Sequence, residues 1–388
     1  AVNSEKEYKK IVFPLEKIEI ILEDSIYIPT SNLSKSLINK LKSFATFENP
    51  QIKTLLSLRK PLYNTPKYIR SFEENENHLI LPRGLKEQIV DFFNINAVDF
   101  SFIDKRYFKQ IETKKVTFNL RPEQNDAIKE IKKTDLSICV APPGFGKTLL
   151  GAKIFEIRAC STIIVVNKNM LLNQWIERFV DYFGYEKQDI GYLGKGHNKL
   201  NGSIDVATMQ SLKNDPDIIN NYSFVIVDEC HHIPAITFEQ IIKNFKGKYL
   251  LGLSATPNRK DELQPILYQQ LGEISYEYKK KKTHTNKVQI IRTQFESNAD
   301  NYATMINELC IDENRNNLII DSIKSNIERK ILVLTDRIEH INALENLLQK
   351  ENIDYICVHG SLNKKEQVEN MNLVKDKSLI IATTSYFG

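Results

Sequence analysis

The amino-acid sequence predicts an α/β protein in which two parallel-sheet domains follow a smaller α+β domain. Short runs rich in Val and Ile alternate with amphipathic stretches from about residue 116 onward. These runs are continuously apolar, as expected of strands that are buried on both faces of a parallel sheet. A chain of 388 residues has room for two or three domains of about 150 residues each. We therefore expect domains over residues 1–115, 116–278 and 279–388.

The predicted strands alternate with helices in both parallel-sheet domains. Five strands are predicted in the first, at Ile138–Val140, Ile163–Val166, Ile204–Ala207, Phe224–Val227 and Tyr249–Leu253. The helical spacing of apolar residues predicts a helix over residues 168–183, between the second and third of these strands. Four strands are predicted in the second, at Val288–Phe295, Ile331–Thr335, Tyr355–His359 and Leu379–Thr383. This alternation is typical of helices that cover a mostly parallel sheet.

Composition excludes several classes of protein. Hydrophobic residues make up 41% of the chain and charged residues 26%, which argues against a disordered or fibrous protein. No apolar run reaches about 18 residues, the length that spans a membrane. The first residues also lack the apolar core of a signal peptide, so we expect a soluble, cytoplasmic protein with no membrane partner. The five cysteines form no CxxC pair, which indicates reduced thiols rather than disulfides or a zinc site.

The charge pattern neither requires nor excludes nucleic acid. A formal net charge of +4 is small, so binding to a polyanion needs a local basic face. The run Lys279–Lys282 predicts an exposed linker or loop, with a nucleic-acid contact as the alternative. In the N-terminal domain, interleaved aromatic and basic residues fit either an ordinary core with a solvated surface or a surface that stacks on bases. These residues are Phe44, Phe47, Arg59, Lys60, Tyr63, Lys67, Tyr68 and Arg70.

The segment Ala141–Thr148 predicts a phosphate-binding loop, because it follows a buried strand and precedes an amphipathic stretch. Its two glycines allow backbone N–H groups to approach a phosphate closely, and its lysine brings a positive charge to the outer phosphates. Its threonine offers a hydroxyl ligand for Mg²⁺. The alternative is an ordinary glycine-containing turn, and Ala141 departs from the usual first glycine. The predicted ATP-binding residues of this loop are Pro143, Gly144, Phe145, Gly146, Lys147 and Thr148.

An acidic strand end predicts the second half of the same site. The apolar strand Phe224–Val227 runs directly into Asp228 and Glu229, which places carboxylates at the edge of the sheet where ligands of open α/β sheets bind. We expect Asp228 to hold Mg²⁺ and Glu229 to orient and deprotonate the attacking water. We also expect His231 to respond to the state of the nucleotide. The simplest alternative is a solvated acidic turn.

Two other kinds of chemistry are disfavoured by the same region. A zinc site built from Cys230, His231 and His232 is disfavoured because adjacent side chains point in different directions and no partner cluster has zinc-like spacing. A serine hydrolase has no support, since the chain has no GxSxG elbow.

The motifs together resemble those of superfamily 2 helicases. Asp228–His231 read DECH, which resembles the DExH signature, and Ser254–Thr256 resembles motif III. Leu120–Gln124 is similar to the segment that reads adenine, which implies that Gln124 and Arg121 contact the base. The resemblance covers residues 116–388 and implies two RecA-like domains that bind ATP and Mg²⁺ between them. It implies nucleic acid as the partner, DNA more than RNA.

A finer resemblance is to the XPB-like branch of these helicases. The sequences DECHHIPA, from residue 228, and LGLSATPNRKD, from residue 251, are in the style of its motifs II and III. The region from Phe44–Pro50 through Leu81–Leu85 is also similar to the N-terminal part of bacterial and phage DEAD/DEAH-type helicases, which often have a type III restriction-like helicase module. That similarity implies that residues 1–115 recognise a substrate or dock a partner.

The resemblance further implies contacts that couple ATP to nucleic acid. Val165–Lys168 and Ala207–Leu212 resemble motifs Ia and Ib, while Val333–Arg337 and Ile381–Thr384 resemble motif IV and the start of motif V. Short polar groups at strand ends suit contact with a nucleic-acid backbone. The implied contact or coupling residues are Lys168, Thr208, Gln210, Ser254, Thr256, Thr335, Arg337 and Thr383.

One departure from the family concerns its last motifs. Motif V would continue past Gly388, and the QxxGRxxR pattern of motif VI, which carries an arginine finger, is not among the 388 residues. We therefore expect an incomplete second RecA-like domain and a chain that binds ATP but hydrolyses it poorly alone. Two alternatives stay open: a translocase on duplex DNA that feeds a nuclease or primase without separating strands, and a nucleotide-sensing module. A P-loop kinase would need neither the DECH and SAT segments nor a second α/β domain.

Overall fold

The computed structural model describes residues 11–63, 65–115, 118–232, 235–256, 262–279 and 287–387. The chain divides into two compact units, Ala1–Lys281 and Lys282–Gly388. The first unit contains an N-terminal mixed sheet and an eight-stranded sheet, and the second contains a three-stranded parallel sheet. The predicted fold class, two RecA-like domains after a small α+β domain, is confirmed. The domain bounds 1–115, 116–278 and 279–388 stay predictions.

The N-terminal part of the first unit is built on a five-stranded sheet with the order β5-β6-β2-β1-β7. Residues 18–104 contain the strands β1 Ile18–Leu22, β2 Ser25–Pro29, β3 Thr46–Glu48, β4 Tyr68–Arg70, β5 Glu73–Glu74, β6 His78–Pro82 and β7 Phe100–Asp104, and the helices α1 Lys35–Phe44, α2 Gln51–Ser57 and α3 Lys86–Ile95. Apolar residues alternate along β1 and pack with buried residues of α1 and α3, which gives this part its own core. Strands β3 and β4 form a separate two-stranded antiparallel sheet.

The eight-stranded sheet has the order β11-β10-β12-β9-β13-β14-β8-β15, and every neighbouring pair is parallel except β10 with β11. Its strands are β8 Leu136–Val140, β9 Thr162–Val166, β10 Gly191–Gly194, β11 His197–Lys199, β12 Ile204–Thr208, β13 Phe224–Val227, β14 Tyr249–Ser254 and β15 Ile274–Glu277. The helices are α4 Pro122–Ile131, α5 Lys147–Arg158, α6 Asn169–Phe183, α7 Met209–Leu212, α8 Ala235–Ile242 and α9 Gln264–Leu271. All five predicted strands are present, and β10, β11 and β15 were not predicted.

The central strands are buried from end to end, because apolar clusters cover both faces of the sheet. This burial is why their sequences are continuously apolar rather than alternating. Strands β8, β14 and β13 are neighbours, so the loops that follow them meet at one edge of the sheet. Those loops begin at Ala141, Asp228 and Ala255, which brings the predicted phosphate loop, DECH segment and SAT segment together.

The N-terminal sheet is packed against the eight-stranded part of the first unit through buried polar contacts. The guanidinium of Arg83 is almost fully buried, lies over the Phe245 ring and donates from Nη1 to the Gly247 carbonyl at 2.7 Å. A Cβ added at Gly84 would lie 2.1 Å from the Tyr268 carbonyl oxygen, so only glycine fits there. Arg106 lies 2.9 Å from Asp135. These contacts hold the N-terminal sheet in one orientation within this unit.

The second unit contains a parallel sheet with the order β16-β18-β17. Its strands are β16 Ile331–Thr335, β17 Ile356–Val358 and β18 Leu379–Thr383, and its helices are α10 Tyr302–Ile311, α11 Glu313–Lys324, α12 Ile338–Lys350, α13 Lys364–Leu373 and α14 Thr384–Phe387. Three of the four predicted strands are present. The prediction of a strand at Val288–Phe295 is wrong, because residues 287–301 contain no strand and most of their apolar side chains are exposed. An isolated apolar run forms a strand only where a neighbour offers backbone groups to pair with.

Some sequence features fall outside the described residues, and two others can be checked. Most of the lysine run, residues 257–261 after the SAT segment, and residues 233 and 234 after the DECH segment are not described. All five cysteines are buried and free, as predicted. Among the described residues, no group of His, Cys, Asp and Glu is arranged to hold a metal ion by itself, and no helix is long and apolar enough to cross a membrane.

Candidate active site

The predicted phosphate loop has the backbone that its glycines allow. Gly144 and Gly146 have φ values of 78° and 90°, a region that side-chain-bearing residues rarely adopt. Helix α5 begins directly after the loop, at Lys147, so the free N–H groups of its first turn face the loop. A helix N-terminus with a glycine-rich approach is suited to a phosphate. Gly146 also has a packing reason, since a Cβ there would lie 2.6 Å from Gln124 Nε2.

The loop lysine is paired with the DECH glutamate. Lys147 is largely buried, and its Nζ lies 3.1 Å from Glu229 Oε1 and donates to the Ala141 carbonyl at 3.1 Å. A buried ammonium needs such partners, because an unpaired charge is costly away from water. A phosphate held by the loop would compete for this ammonium. The site therefore joins phosphate binding to the freedom of the Glu229 carboxylate.

Glu229 is held in a backbone conformation that is uncommon for its residue type. Its φ of 47° lies in the left-handed region, where non-glycine residues carry strain and are often found at functional sites. One carboxylate oxygen contacts Lys147. The other, Oε2, is buried and accepts no hydrogen bond among the described residues, and it lies 3.4 Å from His231 Nδ1. An unsatisfied buried carboxylate oxygen can accept a hydrogen bond from a water molecule.

Asp228 is more deeply buried than Glu229 and has a different set of contacts. Its Oδ2 accepts a hydrogen bond from Trp175 Nε1 at 2.7 Å, and its Oδ1 accepts one from the Glu229 backbone N–H at 3.0 Å. Burial raises the pKa of this carboxyl, while the Trp175 hydrogen bond and the charge of Lys147 act in the opposite direction. The negative charge of Glu229 adds to the upward shift. A nearby cation would stabilise the charged form further.

The DECH and SAT segments are joined by a hydrogen bond. Ser254 Oγ lies 3.0 Å from His231 Nδ1, and the same hydroxyl accepts from the Thr256 backbone N–H at 3.2 Å. His231 therefore lies between Glu229 on one side and Ser254 on the other. These contacts connect the Glu229 carboxylate to the loop after β14, so the DECH and SAT segments are mechanically linked.

A cavity of about 330 Å³ opens beside these groups. It is lined by Pro142, Pro143, Gly144, Gly146, Lys147, Thr148, Leu149, Leu171, Gln174, Arg178, Tyr182, Asp228 and Glu229. Two oxygen groups in its lining, the Thr148 hydroxyl and the Asp228 carboxylate, are ligands of the kind that Mg²⁺ prefers. Because the orphaned Glu229 oxygen and the loop lysine lie beside them, the residues present fit a magnesium–nucleotide ligand.

The predicted adenine readers contact the phosphate loop from behind. Gln124 is buried, and its Nε2 donates to the Phe145 carbonyl at 2.8 Å while its Oε1 accepts from the Arg121 backbone N–H at 2.9 Å. The Arg121 guanidinium donates to the same carbonyl and lies 5.6 Å from the Phe145 ring centroid. In this structure the two side chains brace the loop. Their predicted contact with adenine stays a prediction.

The predicted nucleic-acid residues of the first unit lie at the same edge of the sheet as the phosphate loop. Lys168 follows β9 and is exposed, while Thr208 ends β12 and caps α7, with Gln210 exposed one residue into that helix. Ser254 ends β14, and Thr256 is exposed two residues later. The structure thus brings these residues to one rim, and their contact with nucleic acid stays a prediction.

The predicted residues of the second unit also lie at strand ends. Thr335 ends β16 and Thr383 ends β18, with Arg337 two residues beyond Thr335. Thr335 Oγ1 lies 2.9 Å from His340 Nδ1, and His340 Nε2 lies 3.0 Å from Arg315 Nη1. Burial, followed by the charge of Arg315, lowers the pKa of His340 to about 4. His340 is therefore a neutral hydrogen-bonding group at neutral pH.

Sequence reasoning missed the part that α6 plays in this site. Four side chains of this helix line the cavity: Leu171, Gln174, Arg178 and Tyr182. Trp175, on the same helix, donates a hydrogen bond to Asp228. The signal was present, because these residues recur at intervals of three and four along the predicted helix and so share one face. That spacing predicted the helix alone, and only the three-dimensional contacts show which of its residues face the core and which face the cavity.

Family models match two parts of the chain. Residues 117–259 match the type III restriction enzyme res subunit model, and residues 314–388 match the helicase conserved C-terminal domain model.

Curated relatives and a solved structure extend this comparison. The DNA 3'-5' translocase XPB2 of Sulfurisphaera tokodaii is 35% identical over 182 residues, which cover 46% of this chain and 39% of that protein. The probable helicase D10 of Escherichia phage T5 is 24% identical over 286 residues, covering 72% of this chain and 63% of that protein. The chain thus spans less than two thirds of the length of either relative. The crystal structure of T4 UvsW matches with a TM-score of 0.54 at 18% identity, over 95% of this chain and 80% of that chain, which supports the fold.

Proposed function

We propose that this chain, which belongs to the superfamily 2 helicases and carries a type III restriction-like module, is an ATP-driven motor that acts on nucleic acid. DNA is the preferred substrate class in this proposal. Support for it comes from the names of the relatives, which include a DNA translocase and a phage helicase.

One observation carries the catalytic part of the proposal. The loop lysine, the metal-binding carboxylate and the candidate base come from two loops at one sheet edge and line one cavity. Lys147 contacts Glu229 directly, so the phosphate-binding charge and the candidate base act on each other. An ordinary phosphate-binding turn has no need of a strained glutamate whose second oxygen is buried without a hydrogen bond.

Each residue has a separate task in the proposed reaction. Loop N–H groups and Lys147 bind the outer phosphates, which frees Glu229 to orient a water molecule and accept its proton. Mg²⁺ held through Thr148 and Asp228 would neutralise charge on the phosphates. His231 and Ser254 transmit the position of Glu229 to the loop after β14. Gln124 and Arg121 fix the loop and, in this proposal, also face the base.

A second candidate is movement along duplex DNA without strand separation, and the name of the XPB2 relative favours it. The ATP site would be the same in both cases. The two differ in output, so a strand-displacement assay should be run beside a triplex-displacement assay. Triplex displacement without strand displacement identifies the translocase, whose product could feed a nuclease or primase.

The test of the motor is ATP hydrolysis, measured as phosphate release with duplex DNA, single-stranded DNA and RNA side by side. We expect DNA to stimulate hydrolysis more than RNA. The variant Glu229→Gln should lower kcat by roughly 10²–10⁴-fold, the usual share of a general base, with little change in nucleotide binding. Glu177→Gln is the matched control, since Glu177 is an exposed glutamate on α6.

Two outcomes would contradict parts of the proposal. Full turnover by Glu229→Gln would remove the water-activating role. Tight ATP binding without hydrolysis by the unmodified chain, with any nucleic acid, would favour the nucleotide-sensing module over the motor.

A further inference from the structure

An exposed, strongly basic segment projects from the N-terminal sheet. We call the residues from Thr46 to Arg70, which form β3, α2 and β4, the basic arm. Between Glu48 and Glu73 the sequence contains five basic residues and no acidic one. No residue of α2 is buried, so the helix is not folded around a core of its own. Such a charge pattern on an ordered but unburied element is characteristic of a binding surface.

The arm also exposes apolar and aromatic side chains. Tyr63 is 87% exposed, and Leu56 and Leu58 are 59% and 58% exposed. Side chains of this size are normally placed against a core, so a cluster of them beside unpaired basic residues indicates contact with a partner. At the foot of the arm, Tyr68 and Arg70 line an open groove of about 530 Å³.

The basic residues of the arm have no acid to neutralise them within the structure. Among the described residues, none of Lys53, Arg59, Lys60, Lys67 and Arg70 forms an ion pair. Of the two acids that flank these residues along the chain, Glu48 forms no ion pair among the described residues, and Glu73 is paired with Lys243. The electrostatic field around the arm therefore attracts anions. A partner of complementary charge is a polyanion rather than a basic or neutral protein surface.

We propose that the basic arm binds single-stranded nucleic acid, as a contact separate from the rim of the eight-stranded sheet. Basic residues follow the phosphates, and the exposed tyrosines stack on unpaired bases. A duplex would pair with the lysines and arginines but offers no unstacked base to the tyrosines. Because the N-terminal sheet is packed against the eight-stranded part through Arg83 and Gly84, a strand held by the arm is held at a fixed distance from the ATP site. This inference rests on the proposed action on nucleic acid.

The test compares two triple variants that change the same residue type by the same charge. The arm variant is Lys53→Gln, Lys60→Gln, Lys67→Gln, and the control is Lys17→Gln, Lys35→Gln, Lys105→Gln, all exposed lysines of the same part of the chain. Binding of a labelled single strand is measured over a salt series. The arm variant should bind roughly 10- to 100-fold more weakly and lower the salt slope by about 0.7 for each phosphate that is no longer neutralised. The control should change neither quantity.

The tyrosines decide which form of nucleic acid is bound. Tyr63→Ala with Tyr68→Ala should weaken single-strand binding by roughly 5- to 100-fold and leave duplex binding unchanged. Equal losses for duplex and single strand would overturn the assignment to a single strand. Unchanged affinity and salt slope in the arm variant would overturn the proposal, and so would a protein-only effect such as altered self-association. Failure of this inference differs from failure of the proposed motor. If the motor is wrong, the unmodified chain shows no hydrolysis stimulated by nucleic acid; if only the inference is wrong, stimulation is present and the arm variant binds normally.

A separate observation concerns the only tryptophan of the chain. Trp175 is buried on α6, stacks with Phe179, and donates its indole N–H to the Asp228 carboxylate at 2.7 Å. Asp228 lies in the loop after β13, 53 residues further along the chain. A hydrogen bond to a buried carboxylate fixes its rotamer and favours its charged form.

We infer that Trp175 is a positioning residue for the Mg²⁺-binding carboxylate and that it joins α6 to the ATP site. Helix α6 begins one residue after Lys168, a predicted nucleic-acid contact, and Trp175 lies on it about two turns further on. A shift of this helix would therefore move the indole and the orientation of Asp228 together. Loss of a residue that hydrogen-bonds to a metal ligand typically lowers metal affinity by roughly 10- to 100-fold.

Fluorescent-nucleotide binding over a Mg²⁺ series tests this role. In Trp175→Phe the Mg²⁺ concentration for half-maximal binding should rise by roughly 10-fold or more, while binding in EDTA stays unchanged. Phe179→Leu is the control, since it disturbs the same packing without touching the hydrogen bond. In the unmodified chain, tryptophan emission should change when Mg²⁺ is added to the nucleotide-bound protein. An unaltered Mg²⁺ requirement in Trp175→Phe, or the same rise in Phe179→Leu, would overturn the inference.

Discussion

In both parallel sheets, polar residues lie at the carboxyl ends of the strands, but the contacts between these residues differ in the two sheets. In the first unit, side chains from the loops after β8, β13 and β14 touch one another, as Lys147 does Glu229 and His231 does Ser254. In the second unit, Thr335 contacts His340 five residues on, and the Thr384 hydroxyl donates to the Thr335 carbonyl at 3.1 Å, which joins the ends of β18 and β16. Contacts therefore cross between strands at both edges, but among the described residues only the first edge pairs a buried ammonium with a carboxylate.

The two edges also differ in where charge is placed. The first edge holds a buried ammonium, a buried carboxylate and a half-buried one, which are costly to keep unless they are paired and which can be redistributed when a ligand arrives. The second edge is centred on His340, whose pKa of about 4 keeps it neutral at neutral pH. The neutral His340 ring can position loops but has no charge to release, and the charge beside it belongs to Arg315. We therefore propose that the chemical step belongs to the first unit and that the polar residues of the second position its loops.

The largest expected effect comes from removing the cation of the first edge. In Lys147→Ala the phosphates lose their charged partner and the half-buried Glu229 is left without its ion pair. We expect ATP turnover to fall by roughly 10³-fold or more, in line with other transition-state charge contacts. Lys153→Ala is the control on the same helix, because the ion pair that Lys153 forms among the described residues is with Glu156, one turn further along α5. Phosphate release measures both, and a Lys147→Ala variant with more than a tenth of normal turnover would break the contrast between the two edges.

An intermediate effect is expected from the link between the DECH and SAT segments. Ser254→Ala removes the hydroxyl that holds His231, but leaves Lys147 and Glu229 in contact. We expect basal hydrolysis to stay within about 3-fold of normal and stimulation by nucleic acid to be lost, since a hydrogen bond of this kind is worth about 1 kcal/mol.

The matched control for this link is a serine in the neighbouring strand. Ser137 is buried on β8, and its hydroxyl has no hydrogen-bond partner among the described residues. Ser137→Ala should therefore leave both basal and stimulated hydrolysis unchanged. Stimulation that survives in Ser254→Ala would show that the first edge is coupled to nucleic acid by another route.

The sequence predicted what depends on local pattern. The phosphate loop and the DECH segment are short, contiguous signals, and the buried strands are recognisable by their continuous hydrophobicity. Strands β10, β11 and β15 were missed, because they are short and mix polar with apolar residues. The segment 288–295 was wrongly predicted as a strand, because strand formation needs a pairing partner that composition does not reveal.

The contacts that matter most in the site could not be predicted. The bond from Trp175 to Asp228 joins residues 53 positions apart and depends on how α6 packs beside β13. The same holds for the buried Arg83, which its residue type alone would place on the surface. Sequence patterns predict elements, whereas pairing across elements is decided by packing.

The smallest expected effect comes from protonating the centre of the second edge. The pKa of His340 in the folded chain is about 4, below the ordinary value of 6.5, because the ring is buried and Arg315 is close. Between these two pH values the unfolded chain binds a proton at this position that the folded chain does not. The free energy of unfolding of the second unit therefore falls as the pH falls from 6.5 towards 4, and this contribution is constant above that window.

Hydrogen exchange of peptides from β16 and β18, corrected for intrinsic rates, measures this effect in the full chain. We expect protection to drop by roughly tenfold between about pH 7 and pH 5 in the unmodified chain and by less than about threefold in His340→Gln, which has no ionisable ring. Peptides from β13 should show no such difference between the two proteins, because His340 lies outside the first unit. If His340→Gln kept the full pH dependence, the second edge would hold another titrating group, and the role of His340 as its neutral positioning group would have to be replaced.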